Sequence, residues 1–288
     1  MESLYQHRYW TAPDGLKLHY RDYAGPEGGS KSPVICLHGL TRNSRDFAPL
    51  AAQISATRRV IVPEMRGRGL SEYAKDTASY NPVVYIADVK ALLEEQGIAR
   101  CVSIGTSMGG LMTMLMAARD AALFNGVVLN DIGPQLDPDG LSRIGGYVGQ
   151  GGSFPSWMHA ARAIKSVHHA AFPDYTLDQW LEMAKRTLIV GQNGRLTYDY
   201  DMGIAEPFKQ PGNAAPPDLW PAFEALKDVP MVLVRGELSD LLSKEAAAQM
   251  AQAHSGLTLA TVPRVGHAPM LDEAEAITAI NALLEGVQ

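Results

Sequence analysis

Apolar residues in this chain recur in two alternating ways. Short runs rich in β-branched side chains lie at Val34–Leu37, Val60–Val62, Val102–Ile104, Val127–Leu129, Met231–Val234 and Leu257–Val262. Runs without polar alternation predict strands covered on both faces, as in parallel sheets. Between them, helical spacing covers Pro82–Gln96, Gly109–Ala122, Lys244–Ala253 and Glu273–Glu285. The first of these follows Asn81, a good N-cap, and stops at Gly97. Strand–helix alternation with short links predicts an α/β protein on a parallel sheet. The start differs: His7–Ala12 and Lys17–Asp22 flank Pro13-Asp14-Gly15, which predicts an antiparallel hairpin.

From Gly133 to about Pro217 this rhythm stops, leaving only a weak strand signal at Thr187–Val190. Three of the four tryptophans (Trp157, Trp180 and Trp220) lie in or beside the stretch. An insertion between two sheet strands cannot sit inside the sheet. Residues 134–216 are therefore expected to fold over it as a helical lid, inserted between core parts 1–133 and 217–288. Pro216-Pro217 marks the expected return, and the glycines at 145, 146, 149, 151 and 152 are expected to lend the lid mobility.

Composition narrows the classes. The chain has 288 residues, 46% hydrophobic and 19% charged, which excludes a disordered chain. With 25 Lys+Arg against 31 Asp+Glu the net charge is −6, and the basic excess of a nucleic-acid binder is missing. Two cysteines make no disulfide framework, and no Cys/His cluster has zinc spacing; Cys36 and Cys101 read as small core residues. His168-His169, being adjacent, cannot face one metal from one side of a helix. Met1–Trp10 lacks the pattern of a signal peptide, and no window approaches the roughly 18 apolar residues of a membrane span. A soluble cytoplasmic protein is expected, monomeric or homodimeric, binding a small molecule and neither membrane nor nucleic acid.

The sharpest chemical signal is Gly105-Thr106-Ser107-Met108-Gly109-Gly110, a G-x-S-x-G directly after a strand and before a helix. A serine at such an apex takes a strained backbone conformation, and its neighbours two residues away must be small. The turn projects the hydroxyl outward, and the Met108 amide, at the helix N-terminus, faces a developing oxyanion. Serine needs a base. Of the eight histidines, His267 in Val265-Gly266-His267-Ala268-Pro269 follows the last strand and opens at the carboxyl edge, where Ser107 stands. His254 reads as a solvated helix end. For the acid that orients His267, the loop Arg235-Gly236-Glu237-Leu238-Ser239-Asp240 offers Asp240 first and Glu237 as competitor; Asp131, after the preceding strand, ranks third. Methionines 108, 112, 114 and 116 read as packing, and Arg58, Arg59, Arg66 and Arg68 as surface charges.

The order Ser107…Asp240…His267, with His38-Gly39 and Gly266-His267 at either end, resembles the α/β-hydrolase fold family over nearly the whole chain. The resemblance implies an eight-stranded, mostly parallel sheet with flanking helices and a cap inserted after strand 6. It also implies an oxyanion loop at His38-Gly39-Leu40, with the Leu40 amide as second donor beside Met108 and His38 as a strand-end hydrogen bonder. Arg66-Gly67-Arg68-Gly69-Leu70-Ser71 resembles the family's RGxGxS loop, with Glu64 near a position usually aspartate, in a structural role. The expected activity is serine hydrolysis of an ester or related acyl compound, without metal or cofactor. Tyr147, Phe154, Trp157 and Trp180 are candidates for the substrate pocket. Alternatives are a C–C bond hydrolase of ring-cleavage products, an acyltransferase, or a ligand receptor on the same scaffold. Serine in place of aspartate at the elbow argues against dehalogenase and epoxide-hydrolase chemistry. Thr106 and Ala268, where ring-cleavage hydrolases commonly have Asn and Trp, weaken the C–C reading.

Overall fold

A computed structural model describes residues 4–209 and 218–288, so Pro216-Pro217 lie outside the described residues. The strands in chain order are β1 (Gln6–Thr11), β2 (Lys17–Tyr23), β3 (Val34–Leu37), β4 (Val60–Pro63), β5 (Cys101–Thr106) and β6 (Phe124–Asn130). They are followed by β7 (Ser153–Phe154), β8 (Leu188–Val190), β9 (Leu196–Tyr198), β10 (Met231–Gly236) and β11 (Leu257–Val262). Eight form one sheet in the order β1-β2-β4-β3-β5-β6-β10-β11, antiparallel at β1/β2 and β2/β4 and parallel from β4 to β11.

The uninterrupted apolar runs do what their pattern implies. On β3, Ile35 and Leu37 join one buried cluster while Val34 and Cys36 join the other; on β10 Met231 and Leu233 part from Val232 and Val234 in the same way. Helices α2 (Pro82–Glu95), α3 (Met108–Ala117) and α8 (Lys244–Ala253) cover the first face, and α1 (Ala48–Ile54) and α9 (Ala274–Gly286) the second. The β11 run is the exception. As the edge strand, it leaves Thr258 and Leu259 exposed. Helix α3 ends five residues before the periodicity predicts, because Asp120 accepts from the Ala122 amide and caps a separate 3-10 turn at Ala121–Leu123.

Strands β6 and β10 are parallel neighbours, so the chain crosses over between them. The crossover contains α4 (Pro138–Tyr147), α5 (Trp157–His168), α6 (Leu177–Thr187) and α7 (Trp220–Glu224). It is not all helical. Strands β7, β8 and β9 form a small antiparallel sheet, and at two or three residues each they are too short to show a period in sequence. Among the described residues no helix is long and apolar enough to cross a membrane.

Several charges read as surface groups are buried. Arg58 donates to the Ser32, Leu284 and Val287 carbonyls, and Arg66 grips Asp88 and Asp14. Arg68 donates to Leu40 O, Arg66 O and Tyr85 Oη. His254 is buried too: its Nε2 donates to Leu226 O while its Nδ1 accepts from the Gly256 amide. Cys36 and Cys101 sit in the core as expected, with burial raising both thiol pKa values.

Glu64 organises the loop after β4. Its carboxylate accepts from His19 Nδ1 at 2.8 Å, Ser44 Oγ at 2.6 Å and the Leu70 amide at 2.7 Å. Gly69, at φ +57°, leaves room for it; a Cβ there would stand 2.1 Å from Glu64 Oε2. Burial pushes the Glu64 pKa up, but these donors outweigh it and hold the group at about 2, against an ordinary 4.5. A depressed carboxylate pKa contributes stability that is fully present above about 4.5 and lost as the pH falls toward 2. Glu64→Gln should therefore cost about 3 kcal/mol at neutral pH, with the gap to wild type closing by up to about 1.4 kcal/mol per pH unit below 4.5. Denaturant unfolding of both proteins across acid pH checks this; a gap that stays constant would refute it.

Candidate active site

The parallel strands all end at one edge of the sheet, and their carboxyl ends deliver the site. From β5 the chain turns into α3 through Ser107, at φ 51° and ψ −113°. This turn closes only with glycine on both sides. A Cβ on Gly105 would lie 2.5 Å from Gly109 C, and one on Gly109 would lie 2.0 Å from Leu37 O. The Ser107 hydroxyl stands 2.9 Å from His267 Nε2. His267 comes from the loop after β11, as its position in sequence predicts.

The carboxylate beside His267 is where the structure departs from the sequence reading. His267 Nδ1 lies 2.8 Å from Asp131 Oδ2, at the end of β6, not from Asp240. Asp240 instead pairs with Arg143 of α4, and Glu237 accepts from the Arg264 amide. The loop that holds Asp240 still serves the site, but as a donor. The Gly236 amide gives a hydrogen bond to Asp131 Oδ1 at 2.9 Å, and Ser239 Oγ gives one to Oδ2 at 2.6 Å. Asp131 is fully buried and adopts φ 56°, a left-handed conformation in which non-glycine residues concentrate at functional sites. With Nδ1 donating to this carboxylate, Nε2 is the ring atom free to accept the serine proton.

Asn130, one residue earlier, is a positioning group that sequence reasoning missed. Its Nδ2 donates to Thr106 Oγ1 at 3.0 Å and to Pro269 O at 2.8 Å, tying the serine turn to the histidine loop. An Asn-Asp pair closing an apolar run is its only trace in the sequence.

The two amides expected to face an oxyanion belong to Leu40 and Met108. Leu40 lines the cavity over Ser107, and Met108 is the first residue of α3, where an amide has no acceptor within the helix. Neither donates to a protein acceptor among the described residues. Arg68 Nε reaches Leu40 O at 3.0 Å and holds that loop. His38 is a structural hydrogen bonder: Nδ1 donates to Gly39 O at 2.8 Å and Nε2 accepts from the Met65 amide at 3.0 Å. Burial lowers its pKa to about 4 and keeps it neutral.

Above the serine lies a cavity of about 350 Å³. Tyr147 and Phe154 line it, together with Ile144, Ile164, Phe172 and Met270. Trp180 and Trp157, the other two expected pocket residues, do not. Trp180 is buried edge-on against Phe172 and Tyr175, and Trp157 packs on the same cluster, so both serve the crossover's own interior. Among the described residues no group of three His, Cys, Asp or Glu side chains is arranged to hold a metal ion.

The sequence model of the Alpha/beta hydrolase family matches residues 34–280. The chain belongs to the alpha/beta hydrolase family. It is similar to a 3-hydroxybutyrate-oligomer hydrolase of Cupriavidus necator, 34% identical over 269 residues, covering 90% of this chain and 89% of that protein. A 2-(acetamidomethylene)succinate hydrolase of Mesorhizobium japonicum is 25% identical over 241 residues, covering 84% of this chain and 83% of the relative. Among solved structures, an alpha/beta hydrolase from Novosphingobium aromaticivorans superposes with a TM-score of 0.95 at 53% identity, covering 100% of both chains. The eight-stranded sheet described above is this family's fold.

Proposed function

We propose that the chain is a serine hydrolase that cleaves a carboxylic ester or related acyl compound through an acyl-enzyme. The observation that carries this reading is the unbroken hydrogen-bonded row Ser107–His267–Asp131 at the floor of a largely apolar cavity. Ser107 Oγ attacks the carbonyl carbon while its proton passes to His267 Nε2. The oxygen that gains charge is held by the Leu40 and Met108 amides, a contribution worth about 2.7–4 kcal/mol per donor in comparable sites. As the tetrahedral species collapses, the bond to the leaving oxygen breaks and that oxygen takes the proton from His267. Water then gives a proton to His267 and adds to the acyl carbon; the bond to Ser107 Oγ breaks, that oxygen takes the proton back from His267, and the acid leaves. Asp131 holds the imidazole in the required tautomer and stabilises its protonated form.

The name of the Cupriavidus relative supports ester cleavage, because an oligomer of a hydroxy acid is joined through ester bonds. The described residues of the expected lid act in this reading as a cap over the serine, with Ile144, Tyr147, Phe154 and Ile164 lining the cavity. The test is a fluorophosphonate probe followed by turnover of p-nitrophenyl esters of graded length. Covalent labelling at Ser107 and release of one acid per alcohol are expected. A protein that neither labels nor turns over any ester would overturn the reading. Acyl transfer to an added alcohol or thiol in place of water would move the assignment to an acyltransferase.

A further inference from the structure

The cavity over Ser107 holds an arginine, Arg42, and a second histidine, His168, that ester cleavage does not require. Arg42 stands two residues beyond Leu40. A Cβ on Gly39 would touch Arg42 Cγ at 3.5 Å and Ser107 Cβ at 3.9 Å, so the arginine stem and the nucleophile flank the same glycine. Arg42 Nε and Nη2 bind Asp46 at 2.6 and 2.8 Å, and Nη2 also lies 3.7 Å from Met270 Sδ. Nη1 has no acceptor among the described residues, and Arg42 lines the cavity. Two of the five guanidinium N–H groups therefore remain for a ligand.

His168, the last residue of α5, lines the same cavity. Its ring stands edge-on to Tyr147 with centroids 5.2 Å apart and makes no hydrogen bond to the described residues. Its pKa is lowered to about 4, by burial first and then by the charges of Arg42, Arg143 and His267. Asp46 is the one carboxylate among the lining residues, and both its oxygens are taken by Arg42. An apolar acyl chain gains nothing from this grouping. An anion fits it, because a carboxylate would accept from the free Arg42 Nη1 and from an imidazole N–H.

We propose that Arg42 Nη1 and His168 form a subsite for a carboxylate, so that the ester cleaved at Ser107 belongs to a molecule carrying a free acid group elsewhere. This rests on the ester-hydrolase reading above. The cavity then joins an apolar wall, formed by Ile144, Phe154, Ile164 and Phe172, to one anion-binding anchor. An anchored carboxylate would orient the ester over Ser107, which raises kcat/KM for the charged substrate over a neutral one of equal length.

The test compares monoethyl esters of linear dicarboxylic acids, from succinate to suberate, with ethyl alkanoates of matching length at fixed ionic strength. Wild type should favour the charged member by about 10-fold or more in kcat/KM at one or more lengths. Arg42→Gln should cut the charged ester's kcat/KM about 10-fold more than the neutral ester's. His168→Gln should reduce the same preference, and since His168 bonds no other described side chain it leaves no partner stranded. Free glutarate should inhibit neutral-ester turnover competitively in wild type. Equal wild-type rates on charged and neutral esters at every length would overturn the subsite while leaving the hydrolase reading intact. Turnover of neither series would instead sink the hydrolase reading.

Discussion

Ser107→Ala is expected to lower kcat on any turned-over ester by about 10⁴-fold or more while the protein stays folded. The alanine keeps the Cβ and so faces the same backbone cost at φ 51° as serine does. What it removes is the single hydroxyl 2.9 Å from His267 Nε2, and no other described side chain depends on it. The Leu40 and Met108 amides stay in place, so a residual rate above the uncatalysed background should persist, with KM little changed. Steady-state kinetics together with thermal unfolding separate the two effects. A variant that unfolds at the wild-type temperature and still turns over ester near the wild-type rate would remove Ser107 from the mechanism.

The second large effect decides between two carboxylates. Asp131→Asn is nearly isosteric, yet Asp131 accepts from three donors: the Gly236 amide, Ser239 Oγ and His267 Nδ1. An asparagine can accept at Oδ1 from Gly236, but its NH₂ would then face the imidazole. That arrangement favours the tautomer with the proton on Nε2, which cannot accept from serine. A fall of about 10⁴-fold in kcat is expected, the size seen when the acid of a serine-protease triad is changed to its amide. Asp240→Asn should change kcat by no more than about 2-fold, because it only weakens a half-exposed ion pair with Arg143. Measuring both variants on one ester gives the ranking directly; the reverse order would return the acid's role to Asp240.

The serine turn was legible because backbone geometry dictates it. No side chain fits at Gly105 or Gly109, so the glycines and the strand–helix context appear in the sequence together. His267 was legible for a similar reason: only one histidine followed a strand and a turn glycine at the right edge. The two-faced burial of the central strands also followed from their unbroken apolar runs.

Other features were decided by which neighbours tertiary packing supplied. Arg58, Arg66, Arg68 and His254 look exposed in sequence, but each finds carbonyl or carboxylate partners far along the chain and is buried with them. Trp157 and Trp180 carry the composition of a pocket, yet a layer of α5 and α6 needs aromatic filling of its own.

The acid shows the division most clearly. The sequence by itself narrowed the carboxylate beside the histidine to residues after two strand runs, with Asp240 first, Glu237 as competitor and Asp131 third. β6 and β10 lie side by side and end at the same edge, so a carboxylate on either can reach an imidazole arriving from β11. Chain order does not distinguish them. Only the tertiary structure did, by giving Asp240 a guanidinium from α4 and turning the Gly236 amide and the Ser239 hydroxyl toward Asp131. A buried carboxylate stays where donors surround it, and those donors belong to another strand.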